Sequence, residues 1–431
     1  MKSRLYLLLL LAALTACGAP VSAGTNGSIR PDGQVVILWH SAEGSMRRAL
    51  LARVDEFNAT NAWGILIVPE YHGNAADMQD ALTTAIAAKR MPDLILGRPL
   101  DALRLGDAVM PVESYVLDER YGLTDADLSD LYPALLDANR DPEHNGALLS
   151  FPVGGEGTVM VYNVDRLAAL GYLTPPNSWP LFKEVCLVAT ADSNGDRQTD
   201  VYGFGFAPRP EFVAAWFLSR GAPLLSADGR AVGFENENGL KTFETLAESE
   251  QGGCLLRTPG INADVAAFST GRVAMIFANT SELRDIEDSV ENGGGFRWGV
   301  APVPHGRLPA TLDVTGLSWI LLRSTPQKQL AAWQLVRWFA MTEQTMAWAV
   351  DTGQLPLRKS AADKLTQQFA DDPNYRAVLD LLPEGHAEPL VSYWPNVAEA
   401  MTRSVLAVLS GNAPAGVHQQ ALAIVRQIIG P

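Results

Sequence analysis

The chain has 431 residues, of which 47% are hydrophobic, and its formal net charge is -15 at pH 7. That hydrophobic content supports a large buried core and excludes a disordered chain, and at roughly 100–200 residues per domain the length predicts two or three folding units. Because so acidic a protein is repelled by phosphate backbones and by anionic lipid headgroups, nucleic acid is not expected as a partner.

The N-terminus has the pattern of a bacterial export signal. Lys2 and Arg4 precede an apolar run from Leu5 to Leu14, which is too short for an ordinary transmembrane helix. The letters LTAC that end at Cys17 resemble the lipobox of bacterial lipoproteins, in which the cysteine becomes the lipid-bearing N-terminus. We predict a signal peptide over 1–16 and a lipidated tether over 17–33. The alternative is an ordinary signal peptide with a chance cysteine.

Short apolar runs alternate with amphipathic helical patterns from residue 33 to about residue 151. The runs at 35–39, 65–68 and 94–96 predict strands, and such alternation is typical of a mostly parallel α/β sheet. Two helices are predicted between these strands, over 44–58 and 75–89. Their apolar faces consist of Met46, Leu50, Val54 and Phe57 in the first helix and Met78, Leu82 and Ile86 in the second.

The middle of the chain contains an apolar stretch that Pro152, Gly154, Gly155 and Gly157 interrupt. A single central strand would not tolerate these residues, so we interpret the stretch as a crossing between two lobes. The α/β pattern then resumes, with strands predicted near 201–206, 272–277 and 298–303. One long helix is predicted over 327–351, and amphipathic helices continue to the C-terminus.

Two cysteines remain once Cys17 is assigned to lipid. An even pair in an exported protein permits a disulfide between Cys186 and Cys254. Cys186 nevertheless fits the apolar face of a helix in LFKEVCLVA, so a buried free thiol is the favoured interpretation.

No catalytic motif stands out. There is no H-E-x-x-H array for zinc and no G-x-S-x-G nucleophile turn. One metal signal exists in DSNGDRQTD, where Asp192, Asn194, Asp196 and Asp200 are spaced like positions 1, 3, 5 and 9 of a calcium loop. Arg197 replaces the usual glycine at position 6, so a polar turn is favoured over a structural calcium site. No cofactor is expected to be required.

Several segments together resemble one family, the extracellular solute-binding proteins of family 1, which serve carbohydrate ABC importers. They are LWHSAEG, FNATN, YHGN, AIAAKRMPDLIL, LSFPVGGEGTVMVYNVDRLAALG, AFSTGRVAMIF, WGVAPVPHG and TMAWAVDTGQLPLRKSA. They extend over nearly the whole mature chain in the right order, and they resemble both the maltodextrin-binding and the glycerol-3-phosphate-binding members.

This resemblance implies an α/β, two-lobed periplasmic-binding-protein fold of type II, which closes about a hinge with the solute in the cleft. The three crossings between lobes are expected near 151–156, 311–317 and 361–365. The implied N-terminal lobe comprises 34–151 plus 317–365, and the implied C-terminal lobe comprises 152–316 plus 366–431.

The resemblance also implies a set of ligand contacts. Glu156 matches a sugar-binding glutamate of the maltodextrin-binding members, with a solvent-facing hinge residue as the alternative. Glu43 matches the WHS-x-EG loop of the glycerol-3-phosphate-binding members, behind which Trp39 is expected to be scaffold. Core packing is favoured for Trp216. The complete set is His40, Glu43, Tyr71, Arg98, Glu156, Glu211, Trp216, Asn279, Thr280, Ser281, Gly316 and Gln354.

Departures from the family pattern bear on the substrate. The arginine that holds phosphate in the glycerol-3-phosphate-binding members corresponds to Ala398, their tyrosine in G-Y-L-P is Gln354, and a serine of their first crossing is Glu156. A phosphate would therefore meet like charge without a cation to bind it. A neutral mono- or oligosaccharide is favoured over a phosphoester.

The expected protein is a non-enzymatic, monomeric receptor, exported and anchored by lipid to the cell membrane on its extracellular or periplasmic face. It would deliver sugar to the transmembrane permease of an ABC importer with an ATPase subunit. Two alternatives remain: a receptor for glycerol-3-phosphate or a glycerophosphodiester, and an extracellular carbohydrate hydrolase, which would require a pair of carboxylates across a sugar site.

Overall fold

The computed structural model describes residues 29–260 and 262–430. The predicted signal peptide, Cys17 and residues 18–28 of the predicted tether lie outside the described residues. The strands are β1 Val35–His40, β2 Leu66–Tyr71, β3 Leu94–Gly97, β4 Arg140–Asp141, β5 Ala147–Leu148, β6 Phe151–Pro152, β7 Glu156–Asn163, β8 Tyr202–Phe206, β9 Leu255–Arg257, β10 Val273–Asn279, β11 Trp298–Ala301, β12 Leu312–Thr315, β13 Ser318–Leu321 and β14 Gly385–Ala387.

The helices separate and follow these strands, as expected of an α/β protein. They are α1 Gly44–Thr60, α2 Ala75–Ala88, α3 Pro99–Leu105, α4 Glu113–Val116, α5 Asp125–Asp130, α6 Pro133–Asp137, α7 Val164–Ala169, α8 Trp179–Ala189, α9 Pro210–Leu218, α10 Glu237–Gln251, α11 Ala263–Ser269, α12 Leu283–Asn292, α13 Pro326–Phe339, α14 Thr342–Thr352, α15 Lys359–Gln368, α16 Pro373–Leu381, α17 Trp394–Leu409 and α18 Pro414–Ile429.

A five-stranded sheet forms the core of the first lobe, in the order β2-β1-β3-β13-β6. Strand β1 pairs in parallel with β2 and β3, and β13 runs antiparallel to β3 and β6. Helix α13 packs on β1 and β13, and α1 packs on β2. The three parallel strands therefore place their carboxyl ends at one edge of the sheet, where ligand sites of α/β proteins usually lie.

A second, seven-stranded sheet forms the core of the other lobe. Its order is β14-β12-β7-β10-β8-β9, and β11 also pairs with β7. Phe204, Phe277 and Trp216 are buried together between this sheet and its helices, in edge-to-face contacts that add to the apolar area removed from water. The two sheets confirm the predicted two-lobed α/β fold.

The chain passes from the first sheet to the second through residues 153–155, between β6 and β7, and returns through residues 316–317, between β12 and β13. Backbones approach closely here: a Cβ added at Gly316 would lie 2.7 Å from the carbonyl oxygen of Gly154. Only glycine fits that contact. The third expected crossing, 361–365, falls inside α15, and the lobe boundaries stay a prediction.

The predicted helix over 327–351 is wrong in its continuity, because α13 and α14 are separate helices. The backbone turns out of helical geometry at Met341, whose φ is -71° and ψ is 153°. The buried guanidinium of Arg358 donates to the carbonyl oxygen of Ala340, an acceptor that a continuous helix would use internally. A residue distant from the apolar pattern therefore ends the helix.

The apolar face predicted for the second helix is also wrong at one position. Met78, Leu82 and Ala85 are the buried side chains of α2, whereas Ile86 is 46% exposed. The helix ends two residues later at Ala88, and the following residue, Lys89, has a left-handed φ of 52°. The buried stripe therefore rotates toward position 85 as the helix leaves the sheet.

The free-thiol interpretation is wrong as well, because Cys186 and Cys254 form a disulfide. Their Cα atoms are 5.6 Å apart, within the range that a disulfide spans. Cys186 does lie on the buried face of α8, as the sequence indicates. The segment before β9 brings Cys254 to the same place, and a pattern local to α8 carries no information about it.

Candidate functional site

One wall of the candidate site is the edge where β1, β2 and β3 end. His40 pairs in register with Tyr71 of β2 and with Leu96 of β3, and Arg98 follows β3 directly. Three of the predicted contacts, His40, Tyr71 and Arg98, thus come to the same edge. These side chains meet because the strands are parallel, and parallel pairing aligns the carboxyl ends of neighbouring strands.

Glu43, Tyr71 and Arg47 form a connected polar group on this wall. The Tyr71 hydroxyl donates to Glu43 Oε1 at 2.5 Å, and the Arg47 guanidinium lies 4.4 Å from the centre of the Tyr71 ring. The hydrogen bond to Glu43 raises the pKa of Tyr71. Glu43 and Tyr71 are both exposed, so the carboxylate and the ring face are available to a ligand.

His40 lies behind this polar group and is only 1% exposed. Burial, together with the charges of Arg47 and His72, lowers the pKa of His40 to about 4, so the imidazole is neutral at pH 7. Trp39 packs on His72 with 3.8 Å between ring centres and donates its indole N–H to Glu70 at 2.8 Å. His40 and Trp39 therefore support the wall from behind the polar group. This is the scaffold role expected of Trp39.

Arg98 is exposed, and its backbone N–H is held by Asp101 at 2.9 Å. Its guanidinium forms no salt bridge in the described part of the chain. It is near enough to Glu156 for its charge to lower the pKa of that carboxyl. Arg98, which follows β3, thus adds positive charge to the surroundings of Glu156, which begins β7.

Glu156 opens β7 in the second lobe and accepts a hydrogen bond from the Ser281 hydroxyl. Burial raises the pKa of Glu156, the Ser281 hydrogen bond lowers it, and the neighbouring charges of Glu282 and Glu211 raise it again. The balance is a raised pKa. Glu156 is therefore a half-buried carboxylate in an acidic setting, and it is a suitable acceptor for ligand hydroxyl groups.

The turn after β10 contains three predicted contacts with different surroundings. Thr280 is buried, and its hydroxyl accepts from the Gly157 N–H at 3.1 Å, which ties the turn to β7. The Asn279 N–H donates to Glu282 at 2.7 Å. Ser281 holds Glu156 from this turn. Thr280 thus positions the turn, and Ser281 presents a hydroxyl beside Glu156.

The strongest ion pair of this region was not anticipated from the sequence. Arg209 donates to both carboxylate oxygens of Glu282, at 2.6 and 2.8 Å. Its guanidinium also lies 3.7 Å from Glu211 and 4.0 Å from Asp264. The hydrogen bonds and charge of Glu282 outweigh burial and raise the pKa of Arg209. The Arg209 guanidinium is thus already paired with carboxylates of the protein itself.

Three other predicted contacts are not brought to a ligand-facing surface. Trp216 is 1% exposed and stacks on Trp179 at 4.9 Å, so it belongs to the core. Gln354 is 3% exposed and accepts from the Trp348 indole N–H at 2.7 Å. Gly316 is a hinge residue in close contact with Gly154. Burial and backbone packing account for all three.

The candidate calcium loop is an exposed turn whose acids accept from the loop itself. Asp192 accepts from the backbone N–H groups of Asn194, Gly195 and Arg197, and Asp200 accepts from Ser193. Arg197 has the positive φ, 68°, that usually favours glycine. No group of three or more His, Cys, Asp or Glu side chains in the described residues is arranged to hold a metal ion. Calcium binding by Asp192, Asn194, Asp196 and Asp200 stays a prediction.

Two further acids belong to the second sheet, near the strand that Glu156 begins. They are Asp313 in β12, which pairs with β7, and Glu388, which directly follows β14, the other neighbour of β12. Burial and the charge of Glu211 together raise the pKa of Asp313 to about 7, and burial and the charge of Asp313 raise the pKa of Glu388. Sequence reasoning missed both. For Asp313, the available signal was its position as a single carboxylate inside the apolar strand TLDVTG.

A two-lobed α/β fold, joined by glycine-containing crossings and lined with polar groups from both lobes, defines a hinge-closing binding protein. A family model of bacterial extracellular solute-binding proteins matches residues 52–377, and the chain belongs to this family. The protein is therefore a solute-binding protein of an ABC importer, exported to the periplasm or the extracellular space. The family and the structural neighbours are binding proteins.

Particular relatives share this architecture. The sn-glycerol-3-phosphate-binding periplasmic protein UgpB of Escherichia coli (strain K12) is 24% identical over 345 residues, which cover 77% of this chain and 76% of the relative. The cyclic alpha-maltosyl-1,6-maltose binding protein of Arthrobacter globiformis superposes with a TM-score of 0.79 at 19% identity, covering 92% of this chain and 98% of the other. UgpB of Mycobacterium tuberculosis, solved with glycerophosphocholine, has a TM-score of 0.75 at 18% identity, with 91% and 98% covered.

Proposed function

We propose that this protein is a non-enzymatic, monomeric receptor that captures a carbohydrate between its lobes and delivers it to an ABC permease with an ATPase subunit. The observation that carries the proposal is Glu156, a half-buried carboxylate that accepts a hydrogen bond from Ser281 and whose pKa is lowered by the charge of Arg98. A carboxylate and a guanidinium on opposite walls provide the acceptors and donors that sugar hydroxyl groups need.

The electrostatics of the second lobe argue against a phosphoester. Arg209 is tied to Glu282 by two hydrogen bonds, and residue 398 is a buried alanine on α17. Burial and the charges of Glu282 and Glu211 already raise the pKa of Glu156 on this wall. A phosphate dianion would add like charge in a partly desolvated site, where screening by water is weak.

Contacts between the lobes support hinge closure as the capture mechanism. Arg284 of α12 donates to the carbonyl oxygen of Val350 in α14 at 2.8 Å, and a Cβ at Gly353 would lie 3.3 Å from the Ser281 carbonyl oxygen. These contacts join the second lobe to the first beside Glu156. A ligand that touches both walls would favour the closed arrangement by its better contacts there.

Attachment to the membrane is proposed to run through lipid on Cys17. The support is the LTAC segment after the export signal. Within the described residues, no helix combines the length and apolar character needed to cross a bilayer.

The second candidate is a receptor for glycerol-3-phosphate or a glycerophosphodiester. It is favoured by the relatives, since one is named for sn-glycerol-3-phosphate and another was solved with glycerophosphocholine. The two candidates differ in ligand charge, so binding measurements separate them.

The test is a thermal-shift and calorimetric screen of the purified chain carrying C17S, against mono- and oligosaccharides, polyols and phosphoesters. A ligand that binds the folded state raises the melting temperature with concentration. The expected result is a shift with sugars and recovery of the sugar unchanged. A shift with phosphoesters alone would refute the carbohydrate proposal, and consumption of the sugar would refute the non-enzymatic one.

A further inference from the structure

Asp313 lies on the same face of the second sheet as Glu156. In the antiparallel pair of β12 and β7, Thr315 is opposite Glu156 and Val314 is opposite Gly157. Side chains alternate along a strand and paired residues share a face, so Asp313 and Thr315 point to the side on which Glu156 lies. Helix α9, whose first turn carries Glu211, packs on β12 and β7 at this face.

The carboxylates of Asp313 and Glu388 lack the partners that buried acids require. Asp313 is 4% exposed, and its Oδ1 atom is buried without a hydrogen-bond partner in the described part of the chain. Both carboxylate oxygens of Glu388 are buried and equally without a partner among the described residues. Buried polar atoms are almost always satisfied by some group, so these three oxygens point to a missing donor.

No basic side chain among residues 29–260 and 262–430 supplies that donor. Neither Asp313 nor Glu388 forms a salt bridge in the described residues, and Arg209 is engaged with Glu282. His386 pairs with Asp313 across β14 and β12, but no hydrogen bond joins their side chains in the described residues, and burial lowers the pKa of His386, so it provides no positive charge at pH 7. The charged groups that act on Asp313 and Glu388 are acids, Glu211 and each other.

A metal ion is not the group that these acids fit. Calcium takes six to eight oxygen ligands at about 2.3–2.6 Å. The described residues hold no such group of acids. An organic cation makes looser demands, since an ammonium donates hydrogen bonds to two or three carboxylates at 2.7–2.9 Å without a fixed coordination shell.

We propose that Glu211, Asp313 and Glu388, here called the acidic patch, receive a cationic group of the solute, a protonated amine or a quaternary ammonium. The inference rests on the proposed receptor function and names its substrate class: a sugar that carries an amino group, bound with its ring near Glu156 and its cation in the acidic patch. Either cation removes the mutual repulsion of the acids, and a protonated amine also donates N–H groups to their oxygens, whereas the hydroxyl groups of a neutral ring do only the second.

The test compares matched ligands on the full chain carrying C17S by isothermal titration calorimetry at pH 7. The first series is glucosamine and its di- to tetrasaccharides, against the N-acetylated and the glucose counterparts. The second series is choline and glycerophosphocholine, against glycerol-3-phosphate. Each is repeated with D313N, E388Q and the double variant, with E343Q on an exposed helix as the matched control.

The amine-bearing member is expected to bind at least about tenfold more tightly than its neutral counterparts, since a desolvated charge pair contributes on that scale. D313N and E388Q should remove that preference and leave the neutral sugars within about threefold, while E343Q changes nothing. The melting temperatures of the free variants show whether they fold, and the wild-type ligand comparison stands without them.

Other results separate this inference from the receptor proposal. If neutral sugars bind as tightly as their amines, the acidic patch has no cationic ligand, although the carbohydrate receptor stands. If only choline compounds bind and the variants abolish it, the cation inference stands and the carbohydrate proposal fails. Binding of glycerol-3-phosphate alone, or of no member of either series, overturns both.

Discussion

Replacement of Glu156 by alanine tests the centre of the candidate site. In the free protein this carboxylate is disfavoured by burial and by Glu282 and Glu211, and it is stabilised by the Ser281 hydroxyl. Loss of repulsion and loss of one hydrogen bond therefore oppose each other, so the melting temperature of the free protein should hardly change. In the complex, loss of a hydrogen bond to a charged acceptor costs about 1.5–3 kcal/mol.

That free energy corresponds to a roughly ten- to hundredfold rise in Kd for the sugar, at about 1.4 kcal/mol per factor of ten. Calorimetric titration measures Kd, and a melting curve of the free variant measures stability. E156Q keeps the shape and an acceptor oxygen, so its loss should be smaller than that of E156A, and E343Q is the surface control. A lowered melting temperature with an unchanged Kd would contradict a ligand contact and return Glu156 to a hinge role.

Three further predictions concern pH, the disulfide and the N-terminus. Because the pKa of folded Asp313, about 7, lies above its ordinary value of 3.8, the folded state keeps a proton that the unfolded state releases. The free energy of unfolding should therefore fall between pH 4 and pH 7, by up to about 4 kcal/mol from this group. The stability of D313N should fall less steeply over this range, with a remaining slope from acids such as Glu388, whose pKa is also raised; a slope equal to that of the wild type would refute the reasoning. Paired replacement of Cys186 and Cys254 by alanine, which opens a loop of 68 residues, should lower stability by about 2–5 kcal/mol in denaturant titration, and an unchanged midpoint would mean that core packing suffices. C17S should move the protein from the membrane to the soluble fraction after cell fractionation, whereas continued membrane association would exclude lipid on Cys17 as the anchor.

Much of the local structure follows from periodicity in the sequence. The strand that ends at His40 and the helix that buries Leu50, Val54 and Phe57 were predictable, because burial on one face imposes a period of two or 3.6 residues. The break between α13 and α14 was not predictable in this way. Its cause is the Arg358 guanidinium, which reaches Ala340 from a segment 18 residues away.

The candidate site was predictable in part. Glu43, Tyr71, Arg98, Glu156 and Ser281 were implied by resemblance. The structure joins Tyr71 to Glu43 at the carboxyl ends of the first sheet and Ser281 to Glu156 at the start of β7. Trp216 and Gln354 were implied in the same way but are buried, because a sequence position does not reveal to which side of the sheet or helix its side chain points in the folded chain.

The sequence by itself determined the export pattern, the α/β class, the crossing at the Pro152 to Gly157 stretch and the family. These features depend on composition and on patterns between residues that are close in sequence. Such patterns can be recognised because secondary structure imposes a fixed period on buried residues. Only the tertiary structure decided that Cys186 meets Cys254, that Arg209 is committed to Glu282, and that Asp313 and Glu388 share a buried acidic patch with Glu211. Those partners lie dozens of residues apart in the sequence. Packing brings them together and removes water, and this allows the disulfide and the ion pair to form and shifts the pKa values of the buried acids.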